Sequence, residues 1–411
     1  MSFRPVTECR SCGCDRIEPV LDLGLQPLAN GFRSADDTAE EPRYPLATFR
    51  CENCSLVQLT GTVDPSVMFD HYHYFSSVST TMVETGSRLV DRLIEQERLG
   101  DDSLVVEVAS NDGYLLRRYV ERGIEVLGID PAANVAEHAI AAGVATQVDY
   151  FSTPVAQALV DAGRRAAVIH ANNVIAHVPD INDFVAGLAL LLHPAGTLVV
   201  ETPHVVTMVD GLEFDTIYHE HVFYYSLHAL QRLFARHGLA VVDVEEIALH
   251  GGSLRVFARE APADASPRVT ALLEREAQVG VTTSAYYADF AARVASASTT
   301  LVAAVDGMLA AGERVAAYGA AAKGTVLLNH CGLRADRIEF VADRSVQKQG
   351  LVMPGVGIPI VPHTALVERR PDATLLLAWN FADEIAAQQS DYLAAGGRFI
   401  VPMPEPRSIT A

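Results

Sequence analysis

The chain has 411 residues, 49% of them hydrophobic and spread along its length, which suits two or three domains with buried cores and excludes a disordered protein. Its net charge of −20 argues against nucleic acid or an anionic membrane surface as the main partner, while leaving room for a local basic pocket that holds a phosphorylated ligand. No apolar run reaches membrane-spanning length and no charged-then-apolar signal segment is seen, so the expected compartment is the cytoplasm, with no membrane and no nucleic acid among the partners.

Cys9, Cys12, Cys14, Cys51 and Cys54 crowd into the N-terminal region, and Cys331 stands alone. CRSC and CENC are two C-x-x-C pairs. A tetrahedral zinc ion takes four thiolates from two tight turns, so Cys9, Cys12, Cys51 and Cys54 are the expected ligands of a structural Zn2+. Cys14 could replace Cys12, but the spacing favours Cys12. Four protein ligands leave no open coordination position, which excludes a catalytic role for this metal.

The apolar run Leu104–Ala109 reads as a buried parallel strand that opens onto Ser110-Asn111-Asp112-Gly113 and a helix from Tyr114. A second strand, Val126–Ile129, ends at Asp130-Pro131. Loop amides at a helix start approach a ligand closely, and an acid after the second strand binds ribose hydroxyls. A dinucleotide site would need G-x-G-x-x-G to admit a pyrophosphate. The loop here is ASNDG, and its acid suits the sulfonium and ammonium of S-adenosyl-L-methionine (SAM) better. A dehydrogenase is therefore the weaker enzyme reading. Glu107, Ala109, Asn111, Gly113, Asp130 and Asn173 are the expected cofactor-binding residues.

Ala167–His170 reads as a strand leading into N-N-x-x-x-H-x-P at Asn172–Pro179, and Thr197–Glu201 as another. At the carboxyl ends of such strands, Asn173, His177 and the segment after Glu201 would share one cleft. DTIYHEHVFYY follows at Asp215–Tyr225, with two histidines and a glutamate between tyrosines. If it were a strand, His219 and His221 would share a face and could bind a metal, but no carboxylate-rich metal motif accompanies them. A helix around Leu227–His237 comes next. Ala240–Val244 and Ser253–Phe257 then form a hairpin around His250-Gly251-Gly252. Pro262–Pro267 reads as a linker, and Arg268–Ala311 is helical. A second α/β unit starts at Val315–Gly319, continues through Ala320–Thr325 into a helix, and has further strands at Ile338–Asp343, Ala373–Asn380 and Phe399–Pro402. Lys323 stands where a strand-to-helix loop could meet a phosphate.

Taken together, CRSC…CENC, HYHYFSSVS, VVEVASNDG, NNVIAHVPD, IYHEH, HGGSLR, YGAAAKG, DRSVQKQG, MPGVGIPI and AWNFADEI resemble the SAM-dependent C-methyltransferases of nucleotide-activated ketosugars in deoxysugar and antibiotic biosynthesis, over nearly the whole chain. The resemblance implies an α/β protein of three parts: an N-terminal zinc-binding domain (1–70), a central Rossmann-like SAM domain (71–262), and a C-terminal Rossmann-like α/β domain (263–411) that helps hold the nucleotide-sugar. It implies His221 as the base, Glu220 as its orienting partner and Tyr218 as a donor near the substrate. Tyr72 and His177 match further active-site positions, with Tyr74 a substitute for Tyr72. Lys323, Asn329, Asp343 and Lys348 are expected nucleotide-sugar contacts. The family more often has glycine where this chain has Ala109. The implied reaction is methylation of the carbon beside a ketone, C-3 of a thymidine-diphospho-4-keto-deoxysugar. An amine or hydroxyl acceptor on a related natural product is the alternative, and a zinc-containing binding protein without catalysis is the non-enzymatic one. A monomer is the working expectation.

Overall fold

The computed structural model describes residues 3–64, 67–68, 75–78, 80–248 and 251–411. Its centre is a seven-stranded sheet built on Leu104–Val108. The strand Glu125–Ile129 and then Thr146–Gln147 lie on one side of it, and Ala166–Asn172 and Leu192–Pro203 on the other. These strands run parallel. Their near-continuous Val, Ile, Leu and Ala runs follow from burial on both faces. The expected hairpin closes the sheet: Ser253–Glu260 pairs antiparallel with Leu192–Pro203 and with Leu239–Ile247.

The N-terminal region forms a smaller antiparallel sheet from Ile17–Pro27, Arg43–Cys51 and Val57–Leu59. Its fourth strand comes from far along the chain. Phe223–Tyr224, the end of the DTIYHEHVFYY segment, pairs with Val57–Leu59. The amide of Val222 donates to the Ala176 carbonyl (2.7 Å), and the Leu59 amide donates to the Val222 carbonyl (2.9 Å). The segment is thus clamped between the zinc-site sheet and the loop that carries His177.

The C-terminal region has its own sheet, in the order Ile360–Pro362, Val341–Asp343, Val315–Tyr318, Ala373–Leu376, Arg398–Val401 and Arg407–Ile409, with only the last strand antiparallel. The helices Pro267–Val279 and Phe290–Ala310 precede it. The second helix buries Phe290, Val294, Leu301 and Val305 in a core shared with Val20, Leu46 and Val57 of the N-terminal sheet, with Phe214 and with Ile217 of the motif segment. One apolar cluster therefore joins all three regions around that segment. Among the described residues, no helix is long and apolar enough to cross a membrane.

Candidate active site

The zinc ligands come together as expected. The Sγ atoms of Cys9, Cys12, Cys51 and Cys54 all lie within 4.8 Å of one another, with Cys9–Cys54 at 3.4 Å and Cys12–Cys51 at 3.6 Å. Four thiolates about 2.3 Å from a tetrahedral Zn2+ are spaced by nearly that much, so the cage fits the ion. Each turn closes with a residue of positive φ after its second cysteine, Gly13 (69°) and Ser55 (65°). Cys14 lies outside the cage, with its thiol toward the Arg16 carbonyl. Among the described residues, this is the only group of His, Cys, Asp and Glu able to hold a metal ion.

The expected cofactor residues line up along the carboxyl edge of the central sheet. Ala109 (φ 56°), Asn111 (50°) and Asn173 (54°) all hold left-handed backbone, and Gly113 (74°) closes the first loop. Asp130 fixes that loop: its carboxylate accepts the Asn111 amide at 2.8 Å and the Ala132 amide at 2.9 Å. Asn111 and Asp112 in turn accept the amides of Ser76 and Ser77, which brings the segment before the helix Thr80–Gln96 over the loop. Glu107 is buried, and burial together with the nearby Asp130, Asp112 and Glu201 raises its carboxyl well above the usual range. Among the described residues, Glu107 Oε2, Asp112 Oδ1, Asn172 Oδ1 and Asn173 Oδ1 are buried acceptors without a hydrogen-bond partner. An edge rich in acids and unmet acceptors fits a cationic ligand with an ammonium and hydroxyls, the donor set of SAM. A cleft of about 390 Å³ opens beside it, lined by Phe75, Ser77, Asp112, Arg117, His138 and, from the C-terminal region, Gln347.

The motif segment is a turn rather than a strand between Ile217 and Val222, and its side chains diverge. His221 Nδ1 lies 2.8 Å from the Thr216 carbonyl. A carbonyl only accepts, so Nδ1 carries a proton, and in the neutral ring Nε2 is the bare nitrogen. The Tyr218 hydroxyl then donates to Nε2 at 2.8 Å, with the two ring centroids 4.0 Å apart. The His177 ring meets His221 edge-on at 4.9 Å. His221 and Thr216 also wall a cavity of about 20 Å³ with His204, Glu213 and Gly252.

One expectation needs correction. Glu220 does not orient His221. Its carboxylate accepts the Asn30 amide at 2.7 Å, and the Thr216 carbonyl has the orienting role. Successive side chains in this turn point apart, which is why sequence neighbours do not pair. Burial pushes the Glu220 carboxyl up to about 7, against the pull of Asn30 and Lys348. In this turn the strand condition that would put His219 and His221 on one face is not met. His219 is buried edge-on against Tyr44, and burial pushes it down to about 4. Tyr72, Tyr74 and His250 lie outside the described residues.

The four expected nucleotide contacts all lie in the C-terminal region, each with protein partners. Lys348 donates to the Ala320 carbonyl at 2.7 Å, and Asp343 accepts the amides of Ala320 and Ser345. Asn329 donates to the carbonyls of Thr325 and Pro354 and accepts from Arg43. The Lys323 ammonium lies 3.9 Å above the Trp379 ring and 3.8 Å from Asp215. Thr216, Asn30, Asp215 and Trp379 were not singled out from the sequence. Thr216 acts through its backbone, and the other three pair across sequence separations that no local pattern reveals.

Residues 9–69 match the zinc binding domain family, 81–244 the methyltransferase domain family, and 248–404 the C-methyltransferase C-terminal domain family. The chain is 40% identical to the C-methyltransferase NovU of Streptomyces niveus, over 99% of this chain and 98% of that protein. It belongs to the C-methyltransferase family. This C-methyltransferase uses SAM, and its N-terminal region is a zinc-binding domain. A shorter match, 33% identical over 24% of the chain and 39% of the partner, is to a ubiquinone biosynthesis O-methyltransferase of Azorhizobium caulinodans. The magnesium protoporphyrin IX methyltransferase of Synechocystis, solved with SAM, aligns over 44% of the C-methyltransferase chain and 79% of its own, at 14% identity and a TM-score of 0.34.

Proposed function

We propose that this C-methyltransferase transfers a methyl group to the carbon beside the ketone, C-3, of a thymidine-diphospho-4-keto-deoxysugar. The observation that carries the proposal is His221, locked with Nδ1 protonated and Nε2 facing the Tyr218 hydroxyl. A carbon acceptor has no lone pair. It becomes nucleophilic only by losing a proton, and a ketone next door stores the resulting charge as an enolate. Such a substrate needs a base and an oxygen-facing donor side by side, and the His221–Tyr218 pair supplies both. An amine or hydroxyl acceptor needs no enolate.

In this mechanism the substrate's C-3 proton moves to His221 Nε2. The Tyr218 hydroxyl turns from Nε2 to the enolate oxygen, with His177 flanking the same ring. Glu107–Gly113, Asp130 and Asn173 would hold SAM, which would supply a methyl group on a sulfonium that leaves as a neutral thioether. By its match to the family, Tyr72 is taken as a further active-site residue. Glu220, in its buried place beside Asn30 and Lys348, sets the charge next to the substrate. The C-terminal domain (263–411) receives the nucleotide through Lys323, Asn329, Asp343 and Lys348. The zinc domain (1–70) and the SAM domain (71–262) frame the motif segment from the other sides.

The test is mass spectrometry with SAM and a panel of thymidine-diphospho-4-keto-deoxysugars in deuterated water. A product heavier by one methyl, absent with His221→Ala, is expected, together with deuterium uptake into the substrate before methyl transfer. SAM binding without methylation or exchange on any ketosugar would overturn the proposed substrate class.

A further inference from the structure

The base is held by a backbone carbonyl, which raises the question of what holds that carbonyl. Thr216 closes a one-turn helix, Phe214–Thr216. The turn is tied internally, since the Thr216 amide and hydroxyl both donate to the Glu213 carbonyl, at 3.0 and 2.7 Å. Its side chains reach into the C-terminal region. The Phe214 ring packs on His330 at 5.0 Å. Asp215 is completely buried and accepts the Trp379 indole N–H through Oδ2 at 2.7 Å. Its Oδ1 has no hydrogen bond and faces the Lys323 ammonium at 3.8 Å, which in turn rests on the Trp379 ring.

A buried ion pair is poor value as a stabiliser, because desolvating both charges offsets most of their attraction. What it does provide is one defined geometry. A carboxylate fixed at one oxygen by an indole and drawn at the other by an ammonium cannot rotate without exposing a bare charge to the core. The next residue along the chain is the one whose carbonyl selects the His221 tautomer.

We infer that Asp215 is a positioning residue through which Lys323 and Trp379 of the C-terminal domain set the orientation and tautomer of His221. The inference rests on the reading of His221 as the base, and it gives Lys323 a task beyond the nucleotide contact proposed above. If the Phe214–Thr216 turn loosens, Nδ1 loses its acceptor and the proton can shift to Nε2, the nitrogen that must be bare to take a proton from carbon.

The experiment uses the full-length, zinc-loaded chain with two conservative variants. Trp379→Phe removes the N–H donor and keeps a ring beneath Lys323. Asp215→Asn keeps an acceptor for the indole and removes the charge. Nitrogen-15 NMR reads the His221 tautomer, assigned by the signal missing from His221→Ala. The expected result is an Nδ1–H ring in the parent and a mixture in both variants. With SAM and a thymidine-diphospho-4-keto-deoxysugar that is turned over, kcat should fall at least about tenfold while SAM affinity and sugar KM hold, as expected for a misaimed group. An unchanged tautomer in Trp379→Phe overturns the inference, even if Asp215→Asn fails to fold. A Lys323→Met variant that raises KM and leaves the NMR signal unmoved would also overturn it, by showing that Lys323 acts on the substrate and not through Asp215. Failure of the functional reading looks different: His221→Ala would keep its methylation rate, whatever the tautomer does.

Discussion

His221 takes its direction from Thr216, not from its neighbour Glu220: the imidazole Nδ1 lies 2.8 Å from the Thr216 carbonyl, and Nε2 accepts from Tyr218. Replacing His221 by alanine should therefore remove the base while leaving the cofactor loop Glu107–Gly113 intact. The expected loss in kcat is about 10²- to 10⁴-fold, the usual worth of a positioned proton acceptor, with SAM affinity unchanged by calorimetry. Glu220→Gln should cost much less than His221→Ala. Equal losses would mean that Glu220 takes the proton and that His221 only supports it.

The cysteine cage gives a second prediction. The chain should carry one Zn2+ per molecule by elemental analysis. Cys51→Ser should abolish it, while Cys14→Ser should leave it in place, because Cys14 points away toward Arg16. The strand Arg43–Cys51 ends at a ligand, and its neighbour Val57–Leu59 pairs with Phe223–Tyr224. Isolated zinc peptides draw about 10 kcal/mol or more of apparent folding energy from the metal. Stripping the ion should thus loosen the motif segment as well as the N-terminal sheet. Activity falling in step with zinc content, at constant SAM binding, is the expected signature. Loss of zinc with Cys14→Ser would contradict the cage.

What could be read from the sequence was whatever is local. Two C-x-x-C knuckles name four ligands because each turn is a few residues long. Apolar runs name buried parallel strands, and a hairpin shows itself by alternation. The site itself is made of long-range pairs. Glu220 meets Asn30 across 190 residues, and Asp215 meets Trp379 across 164. Nothing near Asp215 in the sequence marks it as a buried acid. The pairing of Phe223–Tyr224 with the N-terminal sheet is equally hidden, since two residues carry no period. The adjacency of Glu220 and His221 suggested a dyad because sequence neighbours look like partners, but in a turn they point apart.

Ala109 offers a backbone prediction. It sits at φ 56°, where an L-residue with a Cβ pays roughly 1 kcal/mol and glycine pays nothing. Ala109→Gly should release that strain, partly offset by the greater freedom of glycine in the unfolded chain, for a net gain of up to about 1 kcal/mol. Ala109→Val should do the opposite and by more, because a branched Cβ is poorly tolerated in left-handed backbone. Urea unfolding followed by a probe in the SAM domain measures both. A midpoint that falls for the glycine variant would contradict the strained loop.

Glu276 gives the last prediction, and its sign is fixed by the direction of its shift. Burial by itself pushes this carboxyl up. The bonds it accepts overcome that: His204 Nε2 at 2.8 Å, His228 Nδ1 at 2.7 Å, and the amides of Leu227 and His228 at the start of the helix Leu227–Arg236. The result is a carboxyl held at about 2, below its ordinary 4.5. A depressed carboxyl stabilises the fold wherever it is ionised in both states, so its contribution is complete above about pH 4.5 and drains away as pH falls toward 2. The gap is worth about 3 kcal/mol. Glu276→Gln should therefore be less stable than the parent by about that much at pH 7, and the difference should shrink steadily on acidification. Since Glu276 belongs to the helix Pro267–Val279 and its partners to the SAM domain, the loss should appear as easier separation of the two regions, read by hydrogen exchange at Leu227 and His228. A stability difference that stays constant from pH 7 to pH 3 would show that the carboxylate's charge is not what joins them.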